Sequence, residues 1–315
     1  MRVILAPMEG VADAPMRALL TGVGGYDLVI SEFIRVVDQL LPKRVFYRLC
    51  AELANESKTQ SGTPVRLQLL GQHPMWMAEN AQRAIELGSF GVDLNFGCPA
   101  PMVNRSNGGA ALLKEPETIY HIVKAVREAI PKPLPTTAKI RLGWDDKSRC
   151  IEIAQAIEAA GATELTVHAR TKEEGYKPPA HWGYIQRIKQ AISIPVIANG
   201  DVWSREDYLK CQQVSQCDDV MIGRGALATP NLAQVIKGSQ TRMCWPDVLR
   251  LLLQYSDYEI VSDKQKYYPA RIKQWLKFIA KQYREADELF TQVRVLKKTP
   301  EILSLLRNLT YAKAD

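Results

Sequence analysis

The chain of 315 residues lacks any apolar run long enough to cross a membrane. The apolar stretch at its start, residues 1–7, is too short for a signal peptide. Its six cysteines form neither CxxC pairs nor a dense disulfide pattern, and its four histidines form no HxxxH or HExxH motif. We therefore expect a cytoplasmic protein with free thiols, no membrane segment and no metal site.

The excess of basic over acidic residues is concentrated in the last part of the chain. The net charge is +7, and residues 241–315 hold 14 Lys and Arg against 9 Asp and Glu. Residues 1–240 are nearly neutral, with 27 against 25. A basic C-terminal part suggests an acidic partner, of which nucleic acid is the commonest.

Short apolar or alternating runs recur eight times. They cover residues 3–7, 28–33, 65–71, 91–98, 136–143, 164–170, 195–200 and 219–224. Apolar residues three and four apart predict helices in most intervals, as in residues 78–87, 118–130, 150–160 and 182–192. Eight strand–helix units over roughly 225 residues predict an α/β fold, the (β/α)8 TIM barrel, whose typical size is about 250 residues.

A doubly wound open sheet is the alternative for such a pattern. That fold normally carries a glycine-rich turn after its first strand. Here the first strand is followed by Pro7-Met8-Glu9-Gly10, and the glycine cluster of residues 22–25 precedes a strand instead. The barrel is therefore the better prediction.

Residues 241–315 lack this alternation and predict helices only, over residues 245–260, 269–285, 286–296 and 300–309. We therefore predict two domains, a barrel of residues 1–240 and a helical domain of residues 241–315. Lys273, Lys277 and Lys281 stand four residues apart, and Arg284 extends this lysine stripe. The stripe is either a solvated helix face or a surface for the phosphates of nucleic acid.

The fourth predicted strand ends at Cys98, because Pro99 cannot donate to a strand ladder. A thiol at the C-terminal end of a barrel strand is either a small buried apolar group or a reactive group. Polar side chains close other predicted strands too, namely Glu9, Gln68, Asn95, Lys139, Arg141, His168, Asn199 and Arg224. Burying Lys139 is costly without a partner, and an anionic ligand is one such partner.

Glycine turns close the last two strands, in Asn199-Gly200-Asp201 and Gly223-Arg224-Gly225. The loops after these strands are the usual phosphate site of a TIM barrel. We therefore expect a phosphate-bearing ligand. Flavin mononucleotide (FMN) has the phosphate and a flat polar edge, but these residues alone do not distinguish it from other phosphorylated ligands.

Six ordered motifs resemble those of the tRNA-dihydrouridine synthase family over nearly the whole chain. They are Ala6-Pro7-Met8-Glu9-Gly10, Asn95-Phe96-Gly97-Cys98-Pro99 with Gly109-Ala110, Lys139-Ile140-Arg141-Leu142-Gly143, His168-Ala169-Arg170-Thr171, Ile197-Ala198-Asn199-Gly200-Asp201 and Met221-Ile222-Gly223-Arg224-Gly225. The resemblance implies a flavin-binding barrel followed by a helical domain. The segments at residues 35–41 and 270–275 look most like the bacterial branch that reduces uridine 16 of the tRNA D-loop.

The resemblance also implies roles for single residues. FMN contacts would come from Pro7, Met8, Glu9, Gln68, Lys139, His168, Asn199, Gly200, Asp201, Gly223 and Arg224. Contacts with tRNA would come from Arg35, Asn95, Arg141, Tyr176, Arg271, Lys273, Gln274 and Arg294. NADPH would reduce the flavin, which would pass hydride to C6 of a flipped-out uracil while Cys98, as the catalytic acid, protonates C5. The enzyme is expected to be monomeric.

Residues 100–103 depart from the family pattern, because many relatives carry one or two lysines there, and Arg105 could compensate. Two other functions stay open. An FMN-dependent barrel reductase of a free pyrimidine would leave the basic helical domain without a role. A non-catalytic RNA-binding barrel would bind no flavin.

Overall fold

The computed structural model describes residues 1–261 and 265–311. Residues 262–264 and 312–315, which belong to the predicted helical domain, lie outside the described residues. Eight parallel strands close into a barrel in chain order, and Val3 of the first strand pairs with Val220 of the last. The strands are β1 (Val3–Leu5), β2 (Leu28–Arg35), β3 (Val65–Leu70), β4 (Val92–Phe96), β5 (Thr136–Arg141), β6 (Glu164–His168), β7 (Val196–Asn199) and β8 (Val220–Ile222). The predicted TIM barrel is confirmed.

Helices fill the intervals and follow the last strand. They are α1 (Ala14–Val23), α2 (Lys43–Leu49), α3 (Pro74–Glu86), α4 (Pro101–Asn104), α5 (Pro116–Ala129), α6 (Cys150–Ala159), α7 (Trp182–Ala191), α8 (Arg205–Ser215), α9 (Arg224–Ala228), α10 (Leu232–Lys237), α11 (Trp245–Val261), α12 (Tyr268–Ile279), α13 (Arg284–Val293) and α14 (Thr299–Tyr311). Short 3₁₀ helices cover Ala51–Asn55, Gly109–Lys114 and Gln265–Tyr267. No helix in these described ranges is long and apolar enough to cross a membrane.

Strand alternation divides the apolar residues between two sides of the barrel wall. Val3 and Leu5 pack in the main core, whereas Ile4 and Ala6 belong to a separate small cluster with residues of β2, β7 and β8. Because successive side chains of a strand point to opposite faces, this small cluster lies inside the barrel. The barrel is therefore filled, and its functional residues stand at the strand ends.

Helices α11 to α14 pack directly on the barrel and share its main core. Fully buried Trp275 of α12 donates from Nε1 to the carbonyl of Leu227 in α9, at 3.0 Å. Arg271 of α12 forms ion pairs with Asp13 at 2.8 Å and with Glu259 of α11 at 3.0 Å. The domain boundary at residue 240 stays a prediction.

One predicted helix is wrong. Residues 269–285 do not form a single helix, because α12 ends at Ile279 and α13 begins at Arg284. Between them Tyr283 has an extended backbone, and its hydroxyl donates to the carbonyl of Met243 at 2.9 Å. Lys281 therefore lies outside the helix that carries Lys273 and Lys277, so the lysine stripe is not one helical face.

Candidate active site

A cavity of about 610 Å³ opens where the strands end. Its volume lies within the usual range for a small-molecule or cofactor site. The structure brings to this cavity every residue predicted to contact FMN, together with Cys98, Asn95, Arg141 and Tyr176. Arg35, Arg271, Lys273, Gln274 and Arg294 do not line it.

Three aromatic residues that the sequence reasoning missed also line this cavity. Phe33 lies near the end of β2, where the strand-end argument could have found it. Trp203 follows β7, and Phe278 comes from α12. No local signal marks Phe278, because its position depends on how α12 packs against the barrel.

Cys98 follows the end of β4 by two residues and is buried, with 9% of its surface exposed. Its backbone is fixed by Asn95, whose Oδ1 accepts from the N–H groups of Gly97 and Cys98, both at 2.9 Å. Burial raises the pKa of the Cys98 thiol above its ordinary value. The group is therefore protonated at neutral pH, as a proton donor must be.

The loop that follows Cys98 comes back into close contact with it at Gly109. Gly109 has φ +59°, and a Cβ there would lie 2.9 Å from the carbonyl oxygen of Cys98 and 3.1 Å from its Cβ. Asn104 donates to the same carbonyl at 3.2 Å and accepts from the N–H of Ala111 at 2.9 Å. Only glycine suits position 109. The close contact between Gly109 and Cys98 holds the thiol at the cavity wall.

A chain of amides leads from the barrel interior to Cys98. Gln68 donates from Nε2 to Asp93 Oδ2 at 2.7 Å, and its Oε1 accepts from Asn95 Nδ2 at 2.8 Å. Thr137 donates to the other oxygen of Asp93 at 2.6 Å. Burial raises the pKa of Asp93, although both hydrogen bonds favour its charged form. The side chain of Asn95 is thus engaged within the protein, and its predicted contact with RNA stays a prediction.

Lys139 and Asn199 form a second polar group on the cavity wall. Lys139 Nζ donates to Asn199 Oδ1 at 3.1 Å, and Asn199 Nδ2 donates to the carbonyl of Met221 at 2.8 Å. Burial, followed by the positive charge of Arg141, lowers the pKa of Lys139 to about 8. No carboxylate in the described part of the chain pairs with this ammonium, so the site can accept an anionic or acceptor group there.

His168 presents an unpaired polar atom beside Lys139. Its Nδ1 is buried and has no hydrogen-bond partner among the described residues. Burial, with the nearby charges of Arg141 and Lys139, lowers the pKa of His168 well below its ordinary value. The imidazole is therefore neutral at physiological pH. A buried group of this kind normally has a partner, so a bound ligand would satisfy it.

Arg224 lines the part of the cavity next to β7 and β8. Its guanidinium lies 4.6 Å from the ring centre of Tyr176 and 5.3 Å from that of Trp203. Asp201 accepts from Arg224 at 3.4 Å and also pairs with fully buried Arg170. The carboxylate thus anchors two cations, and sequence reasoning missed Arg170 because nothing local predicts its burial. Gly200 and Gly223 line the same cavity wall.

The predicted RNA-binding residues outside the cavity are scattered. Arg35 Nη2 donates to Ser106 Oγ at 2.5 Å above the Cys98 loop, and Lys273 Nζ donates to the carbonyl of Leu296 at 2.5 Å. Gln274 and Arg294 are exposed. Nothing in the structure tests their contacts with RNA, which stay predictions.

Arg271 lies in a different environment from these residues. Besides its two ion pairs it donates to the hydroxyl of Tyr255 at 3.0 Å. Burial opposes its charge, yet Tyr255, Asp13 and Glu259 together hold the pKa of this guanidinium above its ordinary value. Arg271 thus joins α12 to α11 and to the start of α1, and its predicted contact with RNA stays a prediction.

Lys281 and Lys277 approach aromatic rings. Lys281 Nζ lies 5.3 Å from the ring centre of Trp203 at the cavity, and Lys277 Nζ lies 5.3 Å from that of Phe290. Both lysines are exposed, and Lys281 adds positive charge near the cavity. No cluster of His, Cys, Asp and Glu that could hold a metal ion lies within residues 1–261 and 265–311.

Known proteins match this chain over nearly its full length. A family model described as dihydrouridine synthase (Dus) matches residues 4–306. The tRNA-dihydrouridine(16) synthase of Shewanella oneidensis is 58% identical over 306 residues, covering 97% of each chain. The tRNA-dihydrouridine(16) synthase of Escherichia coli is 56% identical over 314 residues, covering 99% of this chain and 100% of its own.

More distant solved structures share the architecture. An old yellow enzyme homologue from Zymomonas mobilis has a TM-score of 0.52 at 12% identity, over 77% of this chain and 90% of its own. A morphinone reductase variant has a TM-score of 0.51 at 13% identity, over 78% of this chain and 89% of its own. Likeness at such low identity is evidence for the barrel fold alone.

Proposed function

This chain belongs to the dihydrouridine synthase family, and from that premise we propose that it reduces the C5=C6 bond of uridine 16 in the D-loop of tRNA. Both relatives described above carry the name tRNA-dihydrouridine(16) synthase and match over nearly their whole length, which supports that substrate. The observation that carries the proposal is the cavity at the strand ends, because it joins the protonated thiol of Cys98 to the unpaired Nδ1 of His168.

The cofactor we propose is FMN. The unpaired Nδ1 of His168 and the ammonium of Lys139 suit the acceptor and donor edge of a flavin ring. Gln68 keeps one N–H after its bond to Asp93, and that N–H is available to the same edge. Arg224 and the backbone at Gly200 and Gly223 would hold the phosphate. When bound, FMN supplies the hydride that C6 of the uracil accepts, after its own reduction by NADPH.

Cys98 supplies the other hydrogen. We assign its thiol proton to C5 of the uracil, so that two C–H bonds replace one π bond and the electron pair comes from NADPH. The raised pKa keeps the thiol protonated before the reaction, and solvent can restore the proton because the residue is slightly exposed. The base must leave its stack to reach the cavity, which costs less in a loop than in a duplex.

The substrate brings negative charge to a basic surface. Lys281, Arg35 and Arg294 lie outside the cavity, where they can neutralise phosphates without reading bases. We propose that the protein acts on tRNA as a monomer in the cytoplasm.

The test uses an unmodified tRNA transcript with uridine at position 16 and a matched transcript with cytidine there. We expect flavin absorption bands from the purified protein, and NADPH-dependent dihydrouridine in the first transcript only. Absence of these bands after addition of FMN would leave a non-catalytic RNA-binding barrel. Turnover of free uracil with untouched tRNA would indicate the pyrimidine reductase instead.

A further inference from the structure

A second cavity of about 490 Å³ lies beside the loop that follows Cys98. Pro101 at the start of α4 lines both this cavity and the first one, so the two are neighbours. The second cavity is formed by segments that follow β3, β4, β5 and β6. It therefore lies on the side of the barrel away from Arg224 and Lys281, which stand near β8 and α12.

The second cavity is positively charged. Arg105, Lys114 and Lys172 line it against one carboxylate, Glu115. Within residues 1–261 and 265–311, Arg105 and Lys114 form no ion pair, whereas Lys172 pairs with exposed Glu173 at 2.8 Å. The excess of cations favours an anionic ligand.

Trp144 holds two of these cations together. Lys114 Nζ lies 4.0 Å from its ring centre, and Lys172 Nζ lies 4.2 Å from it. Both distances are well within the range of a cation–π contact. The backbone around Trp144 is tied to the Lys172 segment, because Lys172 N donates to Gly143 O at 3.0 Å and Glu173 N donates to Trp144 O at 2.9 Å. The indole thus positions two ammonium groups from distant parts of the chain at one place.

We propose that the second cavity binds a backbone phosphate of the RNA, next to the nucleotide whose base enters the first cavity; the proposal rests on the function proposed above. When one nucleotide is extruded into the first cavity, the RNA strand continues on both sides of that cavity. Lys281 and Arg224 supply positive charge on one side. The cluster of Lys114, Lys172 and Arg105 supplies it on the other, where a flanking phosphate arrives.

The test is the double variant Lys114→Gln, Lys172→Gln, compared with Lys124→Gln, Lys132→Gln. The control removes the same charge from exposed positions outside both cavities. We expect the first variant to bind tRNA about tenfold more weakly at ~0.1 M salt, with a slope of log Kd against log salt reduced by about one to two. Flavin content and the rate of flavin reduction by NADPH should match the wild type.

A second pair of variants tests the aromatic residue. Trp144→Leu keeps both lysines but removes the ring, and we expect it to weaken tRNA binding, whereas Trp144→Phe should restore most of the affinity. Unchanged affinity and salt slope in the lysine variant would overturn the phosphate site. Slower reduction by NADPH with unchanged tRNA binding would also overturn it, in favour of a dinucleotide site. The wild-type protein is the control for the proposed function. If it binds and reduces tRNA, either of these results contradicts the phosphate site alone, and the proposed function still holds.

Discussion

Asp93 and Gln68 are paired across β4 and β3, and the carboxylate of Asp93 fixes which way the amide of Gln68 points. Both oxygens of Asp93 accept hydrogen bonds, one from Gln68 and the other from Thr137, so the amide nitrogen of Gln68 faces this carboxyl group. The amide oxygen then faces Asn95, whose own oxygen faces the backbone of Cys98. The buried carboxyl group of Asp93 is thereby connected through Gln68 and Asn95 to the backbone of Cys98.

Asp93→Asn should disturb that order, because an amide at position 93 can donate as well as accept. We expect tRNA reduction to fall by about one to two orders of magnitude, since misplaced groups are costly in catalysis. Single-turnover rates with reduced enzyme measure this step. Thr137→Val is the matched control, because it removes the other hydrogen bond of Asp93 but leaves Gln68 oriented. Equal losses in both variants would contradict the orienting role.

Cys98→Ala should keep the flavin and the NADPH half-reaction but lose dihydrouridine formation. Removing a positioned general acid typically costs about 10²- to 10⁴-fold. Separate stopped-flow measurements of flavin reduction and of its reoxidation by tRNA check this. Turnover retained in the alanine variant would remove Cys98 from the role of proton donor.

Lys139 should make cofactor affinity depend on pH. Its pKa of about 8 in the free protein means that the ammonium is present below that pH and is lost above it. Affinity for FMN should therefore fall as the pH rises through about 8, and Lys139→Met should abolish this step and bind more weakly at neutral pH. Titration of cofactor-free protein between about pH 6.5 and 9.5 measures the effect. His168 stays neutral throughout this range, because its pKa lies well below its ordinary value.

The same lysine should lower the stability of the cofactor-free protein. Its pKa is depressed on folding, so the unfolded chain binds more protons between about pH 8 and 10.5, and stability due to this group rises across that window. Lys139→Met should therefore raise the melting temperature at neutral pH, by about 2–4 °C for each kcal/mol gained. A lower melting temperature in the cofactor-free variant would contradict this reading.

Arg271→Ala should destabilise the protein, because it removes the cation that faces Asp13 and Glu259. Breaking a buried ion pair by removing one partner costs about 3–5 kcal/mol. Urea unfolding measures the loss, with Arg294→Ala as an exposed control. Unchanged stability together with weaker tRNA binding would instead support the RNA contact expected from the sequence.

The barrel and its site were largely predictable because both follow from local rules. Strand alternation places Lys139 and Arg141 on one face, and parallel strands bring their ends to one side of the barrel. Each observed strand ends within two residues of its prediction. The resemblance to the dihydrouridine synthase family is confirmed by the family match.

What could not be predicted depends on contacts between distant segments. Phe278 reaches the cavity only because Trp275 anchors α12 on α9. At the break between α12 and α13, Tyr283 donates to the carbonyl of Met243, 40 residues away in the chain, and no local pattern indicates this contact. The sequence alone shows Asp93 only as a polar residue inside a strand. Its role becomes visible when the pairing of β3 with β4 places Gln68 beside it.

The hydrogen bond from Trp275 to Leu227 limits how this protein can be rearranged in evolution or in the laboratory. The bond joins α12 to α9, the short helix that begins at Arg224. Phe278, three residues after Trp275 in α12, forms part of the cavity wall. A helical segment exchanged for that of another enzyme would have to provide both an indole donor and a ring at these positions. An exchange of this helical segment would therefore also change one wall of the cavity in which we propose that cofactor and substrate bind.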